Sequence, residues 1–459
     1  MATAAQKRVN LVVSRIIPPV LLGAIIYASY AITKTLCIDY LIHPLPSYNQ
    51  SPRVGAGAVI VALYYLLLIP VVSTYTRLLF NVIVKPGYLP LGAERVCAEA
   101  ESDDPKPKHG KRRRRKSSSR RTRDAEKNHQ AEGTVDVDVD VDVDVDLERG
   151  INNHAGGKAY ELDSFGLESF YTKDVFVCQE DGRPPYCSSC CQFKTDRAHH
   201  CREVDRCVRK MDHFCPWVGG VVSETSFKFF IQFVVYTAIF CAYILIVSAY
   251  YTAEIRRNTG GANAHWAVCI GLSALFGFFS AGMSLSSIQM AMLNMTTIEN
   301  INRHSVVWTL AIRVPDHMLD RLWATDSPWA PTFRMVSYPL QPTPSPSQPQ
   351  TTTPSTGERH VFAILHTLPG ENPFSLDSYL KNLQQVMGHS ITDWLLPLKQ
   401  SPCADHSSSE SAFALGPVVT RLKQEAGLVP APAPESGNGA IPRPPSARVS
   451  SSRRVKDRS

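Results

Sequence analysis

Seven cysteines fall between Cys178 and Cys215, in a chain of 459 residues that holds 12 in all. A tight Cys187-x2-Cys190 pair is followed by His200 and Cys207, four nitrogen or sulfur ligands at the local spacing of a zinc knuckle. Zinc takes four such ligands tetrahedrally, and a CxxC bend supplies two thiolates from one turn. Short Cys–His spacings point to metal binding on the reducing side of a membrane, whereas a disulfide framework needs an oxidising compartment. Downstream stands Asp212-His213-Phe214-Cys215-Pro216-Trp217. A thiol titrates at about 8.5 and needs a base or cation beside it to act as a nucleophile at neutral pH. His213 can be that base, and Asp212 can hold its imidazole in the required tautomer. On local residues alone, Cys215 as a further zinc ligand and His213 as a surface residue is an equally good reading.

Four apolar runs must position these residues. About 20 consecutive apolar residues cross the hydrocarbon core of a bilayer. The chain is uncharged from Ile16 to Thr33, Val54 to Thr76, Phe229 to Tyr251 and Trp266 to Leu293. These runs are apolar on every face, unlike the helices of a soluble core. Pro18-Pro19, near the start of the first, is tolerated in a membrane helix. The expected fold class is an all-α integral membrane protein of four spans, with a small cytosolic zinc-binding module between spans two and three. The expected order starts with a cytosolic N-terminus (1–10), span one (11–33), a lumenal loop (34–53) and span two (54–77). A cytosolic linker (78–169) leads to the Cys-rich module (170–227), span three (228–251), a second lumenal loop (252–264) and span four (265–293). A cytosolic segment (294–339), a disordered linker (340–371), a patterned segment (372–400) and a disordered tail (401–459) complete it. Lys7, Arg8, Arg15, Arg77, Lys85, Lys228, Arg303 and Arg313 fall on the side read as cytosolic, with Arg256 and Arg257 opposing. Both termini and the Cys-rich module are then cytosolic.

Net charge is +7, and a dense basic block from Lys111 to Arg123 carries much of the positive charge. Beside membrane spans, such a block fits anionic lipid better than nucleic acid. Six Val-Asp pairs from Val135 to Asp146 follow; they alternate at the period of a strand, but their charge density favours a solvated linker. The stretch from Asn372 to Pro397 has apolar residues at helical spacing in places, and Trp394-Leu395-Leu396 suits a membrane interface. The uncharged spans give no support to a channel or transporter.

Taken together, YCSSCCQFKTDRAHHCREVDRCVRKMDHFCPWVGG resembles the zinc-containing core of the DHHC-type protein acyltransferases (palmitoyltransferases), and the overall pattern resembles a fungal member. Thr296-Thr297-Ile298-Glu299 looks like that family's TTxE motif, and Lys85-Pro86-Gly87 like a variant of its DPG motif. Asn382-x3-Val386-Met387-Gly388 and the following WLLP resemble its C-terminal segment. By position, the resemblance implies Cys215 as the residue that takes the acyl group, His213 as its base and Asp212 as the group that orients it. It implies Cys187, Cys190, His200 and Cys207 as the first of two zinc sites, and acyl-CoA as substrate. Palmitate would pass through a Cys215 thioester to membrane-proximal cysteines of other proteins.

The second zinc site of the family departs. Its ligand positions hold Val204, Phe214 and Val221 here, and Cys201 alone remains. A half-kept site would strand polar ligands in a small core, so packing is expected to replace coordination, leaving one zinc. Cys178, Cys191 and His199 stand as candidates to rebuild it. Lys194-Thr195 lacks the family's proline, and Ser226 stands where asparagine is expected. Arg209, Lys210 and Lys228 are expected to meet CoA phosphates. The rival reading is a zinc-stabilised membrane adaptor without activity.

Overall fold

In the computed structural model, residues 4–48, 50–96, 167, 170–323, 333–339 and 359–429 are described. The basic block and the Val-Asp repeat lie outside them. Four helices are long and apolar enough to cross a membrane. The first, α1 (Ala4–Tyr30), runs on as a π-helix through Ala31–Ile42, well past the expected end at residue 33. The charges that marked that end do not stop the helix, because Lys34 pairs with Asp39 at 2.5 Å. The other three are α2 (Val54–Val84), α3 (Phe227–Thr259) and α4 (Ala264–Leu293). Their outer faces stay apolar in the open, with Phe278 87% exposed and Leu285 73%. So large an uncovered apolar surface needs lipid around it.

At one end of the bundle, Arg53 holds Glu254 with two nitrogens at 2.9 and 2.5 Å, and Tyr40 donates to the same carboxylate at 2.6 Å. Trp266, fully buried nearby, donates to Thr35 Oγ1 at 2.9 Å. At the other end, α2, α3 and α4 meet the module inserted between α2 and α3.

The all-α expectation is corrected, since ten strands join the helices among the described residues. Six form three hairpins in the module: β2 (Tyr186–Cys187) with β3 (Gln192–Phe193), β4 (His199–Cys201) with β5 (Arg206–Val208), and β6 (His213–Cys215) with β7 (Gly220–Val222). The other four make an antiparallel sheet in the order β1-β8-β10-β9 (Val175–Val177, Thr309–Arg313, Arg359–His366, Arg334–Pro339). Its strands are gathered from both sides of α3 and α4, and the longest, β10, is a continuous apolar run without alternation, so no local periodicity reveals the sheet.

Five short helices follow the spans: α5 (Thr297–Ile301), α6 (Asp316–Trp323), α7 (Tyr379–Met387), α8 (Ile391–Leu395) and α9 (Pro417–Glu425). Strand β10 lies within the expected disordered linker, and residues 401–429 are not disordered but packed. Val419, Leu422 and Leu428 bury against the sheet, and α9 opens with Pro417, whose fixed φ suits a first helical turn.

Candidate active site and metal centre

The hairpins turn sequence spacing into geometry. His200 and Cys207 are direct cross-strand partners on β4 and β5, which puts their side chains on one face. The Cys187-x2-Cys190 turn supplies the other two groups. His200 Nδ1 lies 3.6 Å from Cys187 Sγ, 3.3 Å from Cys190 Sγ and 4.0 Å from Cys207 Sγ. All four ligand atoms fall within 4.8 Å of one another. A tetrahedron about a zinc ion, with bonds of about 2.0–2.3 Å, has edges of about 3.3–3.8 Å, so the set fits the metal.

The thiol chemistry agrees. A hydrogen bond with Cys207 and another with His200 hold Cys187 far below the thiol range, against the effect of burial. The Cys187 interaction in turn pushes Cys207 up. Three thiolates cannot share this space unless a cation neutralises them. The opposite ring nitrogen of His200 faces Asp205 at 3.4 Å, and Arg95 steadies that carboxylate at 3.0 Å. A carboxylate behind a ligating imidazole is the usual outer support of a zinc ligand.

The positions of the family's second site also come together, without a ligand set. Phe214 and Val221 face each other across β6 and β7, in the same relation as His200 and Cys207. With Cys201, Val204, Val208 and Met211 they form one apolar cluster. Cys178 belongs instead to the core beneath the four-stranded sheet, and Cys191 Sγ donates to Ser188 O at 3.4 Å. His199 points to the face of β4 opposite His200, and desolvation pushes it down to about 4. Among the described residues, Cys187, Cys190, His200 and Cys207 are the one such grouping able to hold an ion.

On β6, His213 Nδ1 meets Asp212 Oδ2 at 2.6 Å. Burial works against a charged imidazole here. The hydrogen bonds to Asp212 and Cys215, with the attraction of both, outweigh it, and His213 is pushed up to about 10. Thr297 gives Asp212 two more hydrogen bonds, from its backbone N–H to Oδ1 at 2.9 Å and from its hydroxyl to Oδ2 at 3.0 Å. Cys215 is 4% exposed and sits in the apolar cluster where α2, α3 and α4 meet α7. The His213 ring stacks edge-on against Phe230 at 5.2 Å, and Trp217 meets Phe279 of α4 at 5.3 Å. A thiol is thus placed at the mouth of an apolar bundle.

The remaining motif residues hold this arrangement. Thr296 and Glu299 form a capping box at the start of α5, which aims the Thr297 N–H at Asp212. Glu299 also takes two nitrogens of Arg197 at 2.8 and 2.7 Å, and this pair is almost wholly buried. The Thr-x-x-Glu spacing is itself the sequence signature of such a cap. Arg197 has no comparable signal; it is stacked between Phe374 at 4.9 Å and Phe413 at 5.3 Å. Asn382 donates to Met292 O at 2.9 Å and accepts from Leu376 N at 2.8 Å, tying α7 to the end of α4. The Lys85-Pro86-Gly87 turn joins α2 to the module: Gly87 takes φ +76°, and its carbonyl accepts from Arg209 N at 2.9 Å.

Two of the three cations expected to meet phosphates are buried. Lys228, 1% exposed, donates to Lys399 O at 3.0 Å, and Lys210 is 5% exposed. Each sits where a chain segment distant in sequence folds over it.

The sequence model of the DHHC palmitoyltransferase family matches residues 180–304. Palmitoyltransferase pfa5 of Aspergillus fumigatus is 62% identical over 425 residues, covering 93% of this chain and 92% of that protein. Palmitoyltransferase pfa5 of Emericella nidulans is 55% identical over 446 residues, covering 93% and 88%. Palmitoyltransferase ZDHHC15 of Rattus norvegicus is 27% identical over 234 residues, covering 51% and 52%. With an acidic-His-x-Cys site at the mouth of four apolar helices, and relatives this similar along nearly the whole chain, the protein belongs to the DHHC palmitoyltransferase family and is a protein S-acyltransferase.

Proposed function

We propose that the enzyme works through a Cys215 thioester, with His213 as proton carrier and Asp212 as the group that orients it. The carrying observation is the Asp212–His213 bond of 2.6 Å beside a buried Cys215. His213 takes the Cys215 proton, and the resulting imidazolium is held by Asp212 on one side and offsets the thiolate on the other, the same pairing that raises His213. The thiolate attacks the thioester carbonyl of palmitoyl-CoA, the C–S bond to CoA breaks, and His213 returns its proton to the leaving sulfur. A substrate cysteine then gives its proton to His213 and attacks the acyl-enzyme, and Cys215 leaves as thiolate. Each step exchanges one thioester for another, so no further energy source is needed. The apolar bundle holds the acyl chain, each buried methylene contributing about 0.8 kcal/mol.

Cys187, Cys190, His200 and Cys207 would hold one zinc, which brings the chemistry of a structural crosslink to three small hairpins. The module and both termini face the cytosol in this reading, since the basic residues flanking the spans favour that side. Substrates are proteins with cysteines close to the membrane, and the 111–123 block meets anionic lipid, not nucleic acid.

The test is self-acylation with alkyne-tagged palmitate, comparing the wild type with Cys215→Ser. Hydroxylamine-labile label that disappears in the variant supports the reading. A folded wild type that takes no label from palmitoyl-CoA would favour the adaptor instead.

A further inference from the structure

Lys210 is a buried cation that the proposed chemistry does not use. It adopts φ +40°, a left-handed conformation that a lysine rarely takes, so the fold holds it in place at a cost. Its Nζ lies 3.5 Å from Asn294 Oδ1 and 5.7 Å from the centre of the Phe413 ring. With Asp212, Ser223, Glu224, Asn294 and Thr296 it lines a small cavity. The other charges here are mostly spoken for. Arg197 is neutralised by Glu299 at 2.7 Å, and Glu224 faces His406 at 3.1 Å. Burial pulls Lys210 down; Cys403, Glu299 and Glu224 act to keep it charged, and Arg197 acts against them.

We propose that Lys210 is a positioning residue, a fixed positive charge acting across this cavity on Asp212 and, through the Asp212–His213 bond, on His213 and Cys215. An ionised Asp212 beside a thiolate–imidazolium pair carries one net negative charge in a buried place. A cation lining the same cavity offsets it and favours the reactive form. Solvent screens such a charge poorly when it is enclosed. Because Lys210 is buried, its role is not to meet the phosphates of CoA.

This inference rests on the Cys215 and His213 reading, and its test reads where on the pH axis label forms rather than whether it forms. The rate of self-acylation by the full chain in detergent is followed against pH for the wild type, Lys210→Met, Lys210→Arg and Glu224→Gln. Removing a positive charge raises every proton affinity nearby. Lys210→Met should therefore move the acid limb up by about half to one pH unit and leave the KM for palmitoyl-CoA unchanged. Lys210→Arg should return the limb towards the wild-type position. Glu224→Gln removes a negative charge from the same cavity and should move the limb down. Profiles in Lys210→Met and Glu224→Gln that differ from wild type only by a scale factor would overturn the proposal, because packing alone does that. If Lys210→Met does not fold, Lys210→Gln takes its place, and an unmoved limb there overturns the proposal equally. Label that persists in Cys215→Ser would instead overturn the reading beneath it.

Discussion

Asp212 accepts three hydrogen bonds, one from His213 and two from Thr297, and each of them fixes the imidazole by fixing the carboxylate. Replacing Asp212 with Asn removes the Asp212 share of the attraction that holds His213 up and leaves Cys215 alone against burial. The self-acylation rate should then fall about 100-fold or more, within the range known for a general base. Thr297→Val keeps the backbone N–H bond to Asp212 and loses only the hydroxyl bond at 3.0 Å. It should cost about 1.5–3 kcal/mol of transition-state stabilisation, read as a fall in rate with little change in KM. A larger loss in Thr297→Val than in Asp212→Asn would contradict this order of roles. Phe214 teaches a separate lesson at the same scale. Val204, Phe214 and Val221, the positions to which the resemblance assigns ligands of a second zinc site, pack together in one apolar cluster with Cys201.

Hairpins and the cap after α4 are the elements that make the site rigid. A metal held by Cys187, Cys190, His200 and Cys207 would crosslink β2, β4 and β5, so chelation should unfold the module and abolish self-acylation together, since site and fold share one free energy. Zinc quantification of the purified protein should give one ion per chain; two would contradict the apolar second cluster. The Arg197–Glu299 pair is the other lock, with both side chains almost fully buried. Removing one partner of a buried pair strands the other charge and costs about 3–5 kcal/mol, so Glu299→Gln should melt well below wild type. Burial opposes ionisation of Glu299, but Arg197 and the Thr296 N–H outweigh it and hold the carboxyl below its ordinary value of 4.5. The stability it contributes is present above that ordinary value and is lost as pH falls through the depressed one. The acid arm of the melting profile should therefore flatten in Glu299→Gln.

On the scale of the whole molecule, the C-terminal stretch closes the structure around the site. Residues 401–429 bring Phe413 over Arg197 and Lys210, His406 to Glu224, and the backbone of Ser409 and Glu410 to the edge of β1. A chain ending after Gln400 should lose acylation and melt lower, whereas one ending after Val429 should keep both. Equal activity of the two would show that this packing is dispensable. The basic block at 111–123 should draw the protein, or a peptide of that segment, to anionic vesicles in a salt-sensitive way, with a weaker response to neutral ones.

The sequence by itself determined the four long apolar helices, because continuous apolarity is a local property that needs no partner to be read. It determined the metal set as well, since Cys187-x2-Cys190, His200 and Cys207 lie within 21 residues and two hairpins suffice to gather them. The likeness of Asp212-His213-Phe214-Cys215 to the family motif singled out the same stretch whose geometry now joins acid, imidazole and thiol. Only the tertiary structure decided the rest. The four-stranded sheet draws strands from Val175 to His366, and the longest, β10, carries a continuous apolar run rather than a strand's alternation. Residues 401–429 read as a polar tail because their few apolar groups gain meaning only against a surface built elsewhere. Arg197 carries no signal in the sequence, and Lys210 is expected to meet CoA phosphates, for the same reason: what buries a charge is the chain that folds over it, and Phe374 and Phe413 lie more than 150 residues later.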